Sequence, residues 1–208
     1  MRSTRPIPGD PWPHDMVLRI EDEPRELTSL LFVREAWGLP IDDVPALDGT
    51  LDVGTSARPS GLDESEAVER WRTEWARGWP RIAALREAMR APEGEMMRLL
   101  REIATDGQEE AGCLGDADGV DREAFEVWHI GLRDDHRLPI AQHPERICVT
   151  ALAEAWRDGL ESIVQLPYTG FFAERIDPAT LVVSRVARHD REMYRRALAA
   201  PIGGGPQR

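Results

Sequence analysis

The chain has 208 residues, a formal net charge of −12 at pH 7 and a hydrophobic fraction of 41%. Its length suits one compact domain, and its acidic balance opposes binding to nucleic-acid phosphates and to anionic membrane surfaces. No apolar run approaches the roughly 18 residues that a membrane span needs, and no secretory signal opens the sequence, so we expect a cytoplasmic protein without membrane association.

The first part of the chain predicts an arm, a strand, a helix and a long connection. Four prolines in residues 1–13 predict a flexible arm. Alternating apolar and polar residues at 16–20 predict a short strand, and apolar residues at helical spacing after Pro24 predict a helix that ends at Gly38. Residues 38–62 show no periodicity, and we predict that they wrap along the surface as a loop.

The middle of the chain predicts four helices. Asp63, with Glu66 three residues later, predicts a capped helix start. Gly78 and Pro80 predict a break, after which Pro80 opens a second helix. Two further helices are predicted over 92–104 and 121–132, separated by a loop over 105–120.

The last third of the chain predicts a sheet between two helices. Apolar spacing predicts one helix over 144–160, and apolar runs between turn residues predict three strands. The strands span 162–168, 171–176 and 180–186, and a closing helix spans 189–200. We therefore predict an α+β fold in which a helix-rich middle packs on a small, mostly antiparallel sheet from the C-terminal third. Residues 14–200 form a single domain in this prediction, and 201–208 form a disordered tail.

The residues GDADGVDREAFE at 115–126 are similar in composition to a calcium-binding loop. An EF-hand needs oxygen ligands at loop positions one, three and five, a glycine at position six and a glutamate at position twelve. Neither possible register of this stretch meets that requirement. We therefore predict that Gly119 turns the chain and that Asp121 caps the following helix without holding a metal.

Histidine and carboxylate side chains cluster in the segment that follows. His129, His136 and His143 are each seven residues apart, which is about two helical turns, and Asp135 lies among them. Imidazole and carboxylate groups at this density suit a zinc ion or general acid–base catalysis. Exposed or helix-capping histidines give the same pattern, and no HExxH motif accompanies it. These four residues are the candidate catalytic site.

Three tryptophans form a stripe in the first of the middle helices. Trp71, Trp75 and Trp79 recur every fourth residue, which places them near one face of a helix. One interpretation puts this face in the hydrophobic core. The other makes it a surface for a protein partner, because Trp and Arg are common interface anchors and Arg72 lies beside Trp71. These four residues are the candidate binding site.

Several catalytic classes are excluded by what the sequence lacks. All 26 basic residues are arginine, a composition typical of a GC-rich genome of the actinobacterial type. Without a lysine amine, the chain cannot be a P-loop nucleotide hydrolase, a protein kinase or a Schiff-base enzyme. Cys113 and Cys148 form no disulfide framework, and Cys148 falls on the apolar face of its helix, where a thiol is unreactive.

The acidic charge, the missing catalytic motifs and the tryptophan stripe lead us to predict a non-enzymatic interaction protein. It would be an immunity, adaptor or assembly component that binds a protein partner and uses no cofactor. One alternative is a hydrolase built on the histidine–carboxylate cluster. The second alternative is nucleic-acid contact through the C-terminal arginines, which are Arg185, Arg188, Arg191, Arg195, Arg196 and Arg208.

Overall fold

The computed structural model describes residues 11–22, 24–88, 91–109, 119–133 and 139–201. The helices are α1 (Arg25–Ala36), α2 (Glu64–Ala88), α3 (Glu93–Glu109), α4 (Arg122–Gly131), α5 (Pro144–Ile147), α6 (Val149–Arg157), α7 (Arg185–His189) and α8 (Arg191–Leu198). The strands are β1 (Arg19–Glu21), β2 (Ser162–Leu166), β3 (Ala173–Asp177) and β4 (Thr180–Ser184). The fold is therefore a mixture of α and β structure, as predicted.

The elements group into two compact units. The first unit consists of the described residues within Met1–Pro24, Asp43–Thr50 and Ile130–Arg208. The second unit consists of those within Arg25–Asp42 and Leu51–His129. The first unit contains the sheet and helices α5 to α8, whereas the second is helical. Within the described ranges, no helix has both the length and the apolar character that crossing a bilayer requires.

The sheet is mixed, so the prediction of a mostly antiparallel sheet is wrong. The strand order is β1-β2-β4-β3, in which β2 runs parallel to both β1 and β4, and only β3 and β4 pair antiparallel. Every residue of β2 and β4 is buried, which is the pattern of parallel strands covered on both faces. The more polar β3, which carries Glu174 and Arg175, lies at the edge.

One face of the sheet in the first unit carries a hydrophobic core. Ile163 of β2 and Leu181 and Val183 of β4 point to this face, as their alternation along the strands requires. They pack with residues from α6, α7, α8 and the N-terminal segment, including Leu152, Ala155, Ala187, Tyr194, Ala197, Met16 and Trp12. Trp12 lies within the predicted arm and is 4% exposed, so the chain is already part of the core at this residue.

The predicted break between two middle helices is wrong, because α2 runs without interruption from Glu64 to Ala88 with Pro80 inside it. Proline removes one backbone donor from a helix, and this helix tolerates the loss. Gly78 has a packing role instead. A Cβ atom at this position would lie 2.6 Å from Cδ2 of Leu27, so the glycine lets α1 approach the α2 backbone closely.

Other boundaries also differ from the prediction. The segment predicted as one helix over 144–160 forms α5 and α6, which meet at Cys148. The predicted strand over 180–186 ends at Ser184, whose side chain accepts a hydrogen bond from the Ala187 amide and so starts α7. β1 overlaps the strand predicted at 16–20 only at residues 19 and 20. Residues 38–62 hold turns and a β-bridge from Leu47 to Tyr168.

Candidate binding site

The calcium-like stretch is a helix start, as predicted for its described part. Gly119 has a φ of +93°, and the Asp121 carboxylate accepts a hydrogen bond of 3.1 Å from the Ala124 amide at the start of α4. The same carboxylate accepts hydrogen bonds from the amide and the hydroxyl of Thr55. These hydrogen bonds lower the pKa of Asp121, and the bond from the Thr55 amide has the largest effect. Residues 115–118 lie outside the described ranges.

The structure describes two of the four candidate catalytic residues, and these two belong to different units. His129 belongs to the second unit and is 4% exposed, with its ring centroid 5.3 Å from that of Phe125. His143 belongs to the first unit and directly precedes α5. His136 and Asp135 lie outside the described residues. Among the described residues, no group of three or more potential metal ligands converges.

The tryptophan stripe contributes to the core of the second unit. Trp71 is 1% exposed and Trp75 is 9% exposed, and their rings stack with centroids 5.0 Å apart. Trp79 is partly buried and meets Trp75 edge to face, whereas Arg72 is exposed. The Trp71 indole donates a hydrogen bond to the Leu30 carbonyl. Of the two interpretations of the stripe, burial favours the core, because a partner cannot reach Trp71 or Trp75.

Among the described residues, a groove in the first unit is a candidate binding site. It has a volume of 310 Å³ and lies between α8 and the α5–α6 pair. We call it the α6–α8 groove, and its lining residues are Ile147, Cys148, Thr150, Ala151, Glu154, Arg191 and Arg195. Arg191 and Arg195 form one wall, because residues four apart on α8 share a face. Ile147 at the end of α5 and Ala151 and Glu154 of α6 form the other wall.

The charges in the groove are accessible. The Arg195 side chain is 56% exposed and lies 3.5 Å from the Glu192 carboxylate, and Arg191 is exposed as well. Within the part of the chain that the structure describes, the guanidinium of Arg191 makes no hydrogen bond or ion pair. It is therefore available to a ligand.

The thiol at the base of the groove is held protonated. Cys148 is 3% exposed, and its Sγ–H donates to the Arg191 carbonyl at 3.6 Å. Burial raises the pKa of Cys148, and this effect outweighs the guanidinium groups of Arg191 and Arg195, which lower it. A neutral, buried thiol is a poor nucleophile. This agrees with the sequence interpretation of Cys148 as packing.

A buried polar network connects α5 and α8, which border the groove, to α7 and the sheet. Arg188 of α7 donates to the Glu145 carboxylate of α5 at 2.8 Å and to the Gln165 side chain of β2 at 2.9 Å. The Tyr194 hydroxyl of α8 donates to the same Glu145 oxygen at 3.2 Å. The network thus joins α5, α7, α8 and strand β2. Such satisfied buried groups stabilise one arrangement of the elements around them.

Comparisons with protein-family models, with curated proteins and with solved structures return no match to this chain. The groove is therefore interpreted from its own chemistry.

Sequence reasoning found the groove residues only in part. It identified Arg191 and Arg195 only as members of a C-terminal arginine set that could contact nucleic acid. It did not connect them with Ile147 and Glu154, because that contact depends on how α6 and α8 pack. No short-range pattern in the sequence encodes this packing.

Proposed function

We propose that this chain is a non-enzymatic binding protein that contacts a protein partner through the α6–α8 groove. An immunity, adaptor or assembly component acts in this way. The observation that supports the proposal is the composition of the groove, where two exposed guanidinium groups and an exposed isoleucine surround a protonated thiol. Such a surface offers charge and apolar area for recognition and no activated nucleophile for a reaction.

A protein partner suits this groove better than a small metabolite does. Small-molecule sites enclose about 70–90% of the ligand surface. The walls of the α6–α8 groove include Thr150, Glu154 and Arg191, which are exposed, and Ile147, which is 46% exposed. An open groove of 310 Å³ can hold a few side chains that project from a larger surface.

The alternative of nucleic-acid binding has weaker support. Of the C-terminal arginines, Arg188 is buried against Glu145, and the Arg196 guanidinium lies over the Phe171 ring at 4.2 Å. Arg195 lies beside Glu192. A strip of arginines that binds a phosphate backbone needs free cationic groups in series, and these side chains have other contacts.

A capture experiment with matched charge reversals tests the proposed function. The full chain is immobilised and exposed to an extract of its native host at moderate ionic strength, where long-range charge effects are screened over about 8 Å. We expect one protein to be retained by the wild type and lost with the double variant Arg191→Glu/Arg195→Glu. The reason is that this variant repels the group that the groove holds.

The control is the double variant Arg70→Glu/Arg98→Glu, whose side chains are 58% and 59% exposed in the second unit. It changes the net charge by the same amount and should retain the protein. If neither double variant retains the protein, the binding depends on net charge alone and not on the groove. Retention by both, or an empty wild-type sample, would contradict a role of the groove.

A further inference from the structure

We infer that the α6–α8 groove recognises an acidic side chain, Asp or Glu, that stands next to an aliphatic side chain on the surface of the partner protein. This inference rests on the proposed function and specifies the chemistry of the partner. It follows from the charge balance of the groove, from the position of its aliphatic wall and from the contacts of the remaining arginines.

The charge balance favours a single carboxylate. Arg191 and Arg195 lie one turn apart on α8, so their guanidinium groups can reach the same bound group. Glu154 on the opposite wall and Glu192 beside Arg195 each contribute one negative charge, so Arg191 is the lining cation without an ion-pair partner among the described residues. A guanidinium fork matches the two oxygens of a carboxylate and donates two parallel hydrogen bonds to it. A group with one negative charge therefore suits the guanidinium of Arg191.

A phosphate group suits this groove less well. At pH 7 a phosphomonoester carries a charge of about −1.5 to −2. Glu154 in the groove and Glu192 beside Arg195 would both oppose the second charge. Because a carboxylate avoids this repulsion, an acidic protein side chain is the better ligand.

The aliphatic wall requires a neighbouring apolar group. Ile147 and Ala151 are four residues apart and both line the groove, and Ile147 is 46% exposed. Exposed aliphatic carbon next to a charged group forms an anchor that combines apolar burial with an ion pair. An acidic residue that follows a leucine or an isoleucine in the partner would use both walls.

Titration of the isotope-labelled full chain by NMR spectroscopy tests this inference with a defined probe. The probe is the tetrapeptide Ala-Leu-Glu-Ala, acetylated and amidated so that its only charge is the glutamate side chain. We expect millimolar binding, with amide shifts confined to α8 and to the residues from Ile147 to Glu154. In Arg191→Gln the dissociation constant should rise about threefold to tenfold, whereas the exposed control Arg98→Gln should leave it unchanged.

Three further titrations decide the chemistry. Ala-Leu-Gln-Ala lacks the charge, Ala-Ser-Glu-Ala lacks the aliphatic group, and inorganic phosphate lacks both the carboxylate and the aliphatic group. Each should bind at least about threefold more weakly than the probe. Equal binding of the glutamine peptide or of phosphate, or no shifts with the probe, would overturn the inference. If the capture experiment still depends on Arg191 and Arg195 in that case, the proposed function stands and only this partner chemistry is wrong.

Discussion

At the scale of single residues, the buried network around Glu145 connects the stability of the first unit with the shape of the groove. Glu145 accepts hydrogen bonds from both Arg188 and Tyr194, and all three side chains are buried. Breaking a buried charge pair leaves an uncompensated charge, whereas removing a neutral partner leaves the pair intact. Tyr194 is therefore the position at which the network can be weakened without being destroyed.

The variant Tyr194→Phe should lower the free energy of unfolding at pH 7 by about 1.5–3 kcal/mol, because it removes a hydrogen bond to a charged acceptor. It should also change the pH dependence. Burial of the hydroxyl is the main reason that the pKa of Tyr194 lies well above its ordinary value, and the negative charge of Glu145 raises the pKa further. The folded chain keeps the hydroxyl protonated while the unfolded chain ionises it near pH 10.

The wild type should consequently lose stability as the pH rises above about 10, by up to about 1.4 kcal/mol per pH unit from this residue. Tyr194→Phe should lack this contribution. Urea unfolding of both chains between pH 7 and pH 11 measures the difference. Parallel pH profiles, or equal stability at pH 7, would contradict the role given to the Tyr194 hydroxyl.

At the scale of elements, Gly119 determines how the chain enters α4. Its φ of +93° lies in the left-handed region, and a Cβ atom there would lie 2.3 Å from the Ala57 carbonyl oxygen. The Gly119 carbonyl itself accepts hydrogen bonds from the Ala57 amide and the Trp37 indole. The turn thus joins the segment that follows residue 50 to the start of α4, within the second unit.

Gly119→Ala should lower the free energy of unfolding by roughly 1–3 kcal/mol, since it combines backbone strain with a steric overlap. Gly61→Ala is the matched control, because no atom lies within 4 Å of a Cβ at that position. The control should be neutral or slightly stabilising. Equal urea midpoints for the two variants would mean that Gly119 imposes no conformational requirement.

The elements that sequence reasoning located are those with local signals. Asp121 caps α4, and Gly38 and Gly159 adopt positive φ values after α1 and α6, because caps and turns are encoded within a few residues. Pro80 produced a wrong prediction, because α2 continues across the expected break, where Gly78 lies close to Leu27. A local signal does not fix a helix boundary on its own.

The sheet and the groove could not be predicted, because both depend on contacts between distant residues. β4 pairs with β2 and with β3, and no turn residue encodes its insertion between them. The buried runs SIVQL and TLVVS did carry a signal for parallel strands, which show near-continuous apolar runs. Glu145 and Arg188 are 43 residues apart, so their ion pair has no local pattern.

At the scale of the whole molecule, long-range charge and local charge in the groove have opposite signs. The net charge of −12 repels acidic surfaces in general, whereas the α6–α8 groove places two guanidinium groups at one position. If the proposed function holds, an acidic partner surface would be accepted only where it directs a carboxylate into the groove. Specificity would then arise from general repulsion combined with a single local attraction.

Site-specific photo-crosslinking in living host cells tests the central claim most directly, which is that a protein partner occupies the α6–α8 groove. A photoreactive amino acid replaces Thr150 in the groove or, as the control, Thr73, which is exposed on α2 in the second unit. We predict a discrete crosslinked product from position 150 that is absent from position 73 and disappears with Arg191→Glu/Arg195→Glu. No product from position 150, or the same product from both positions, would contradict the claim.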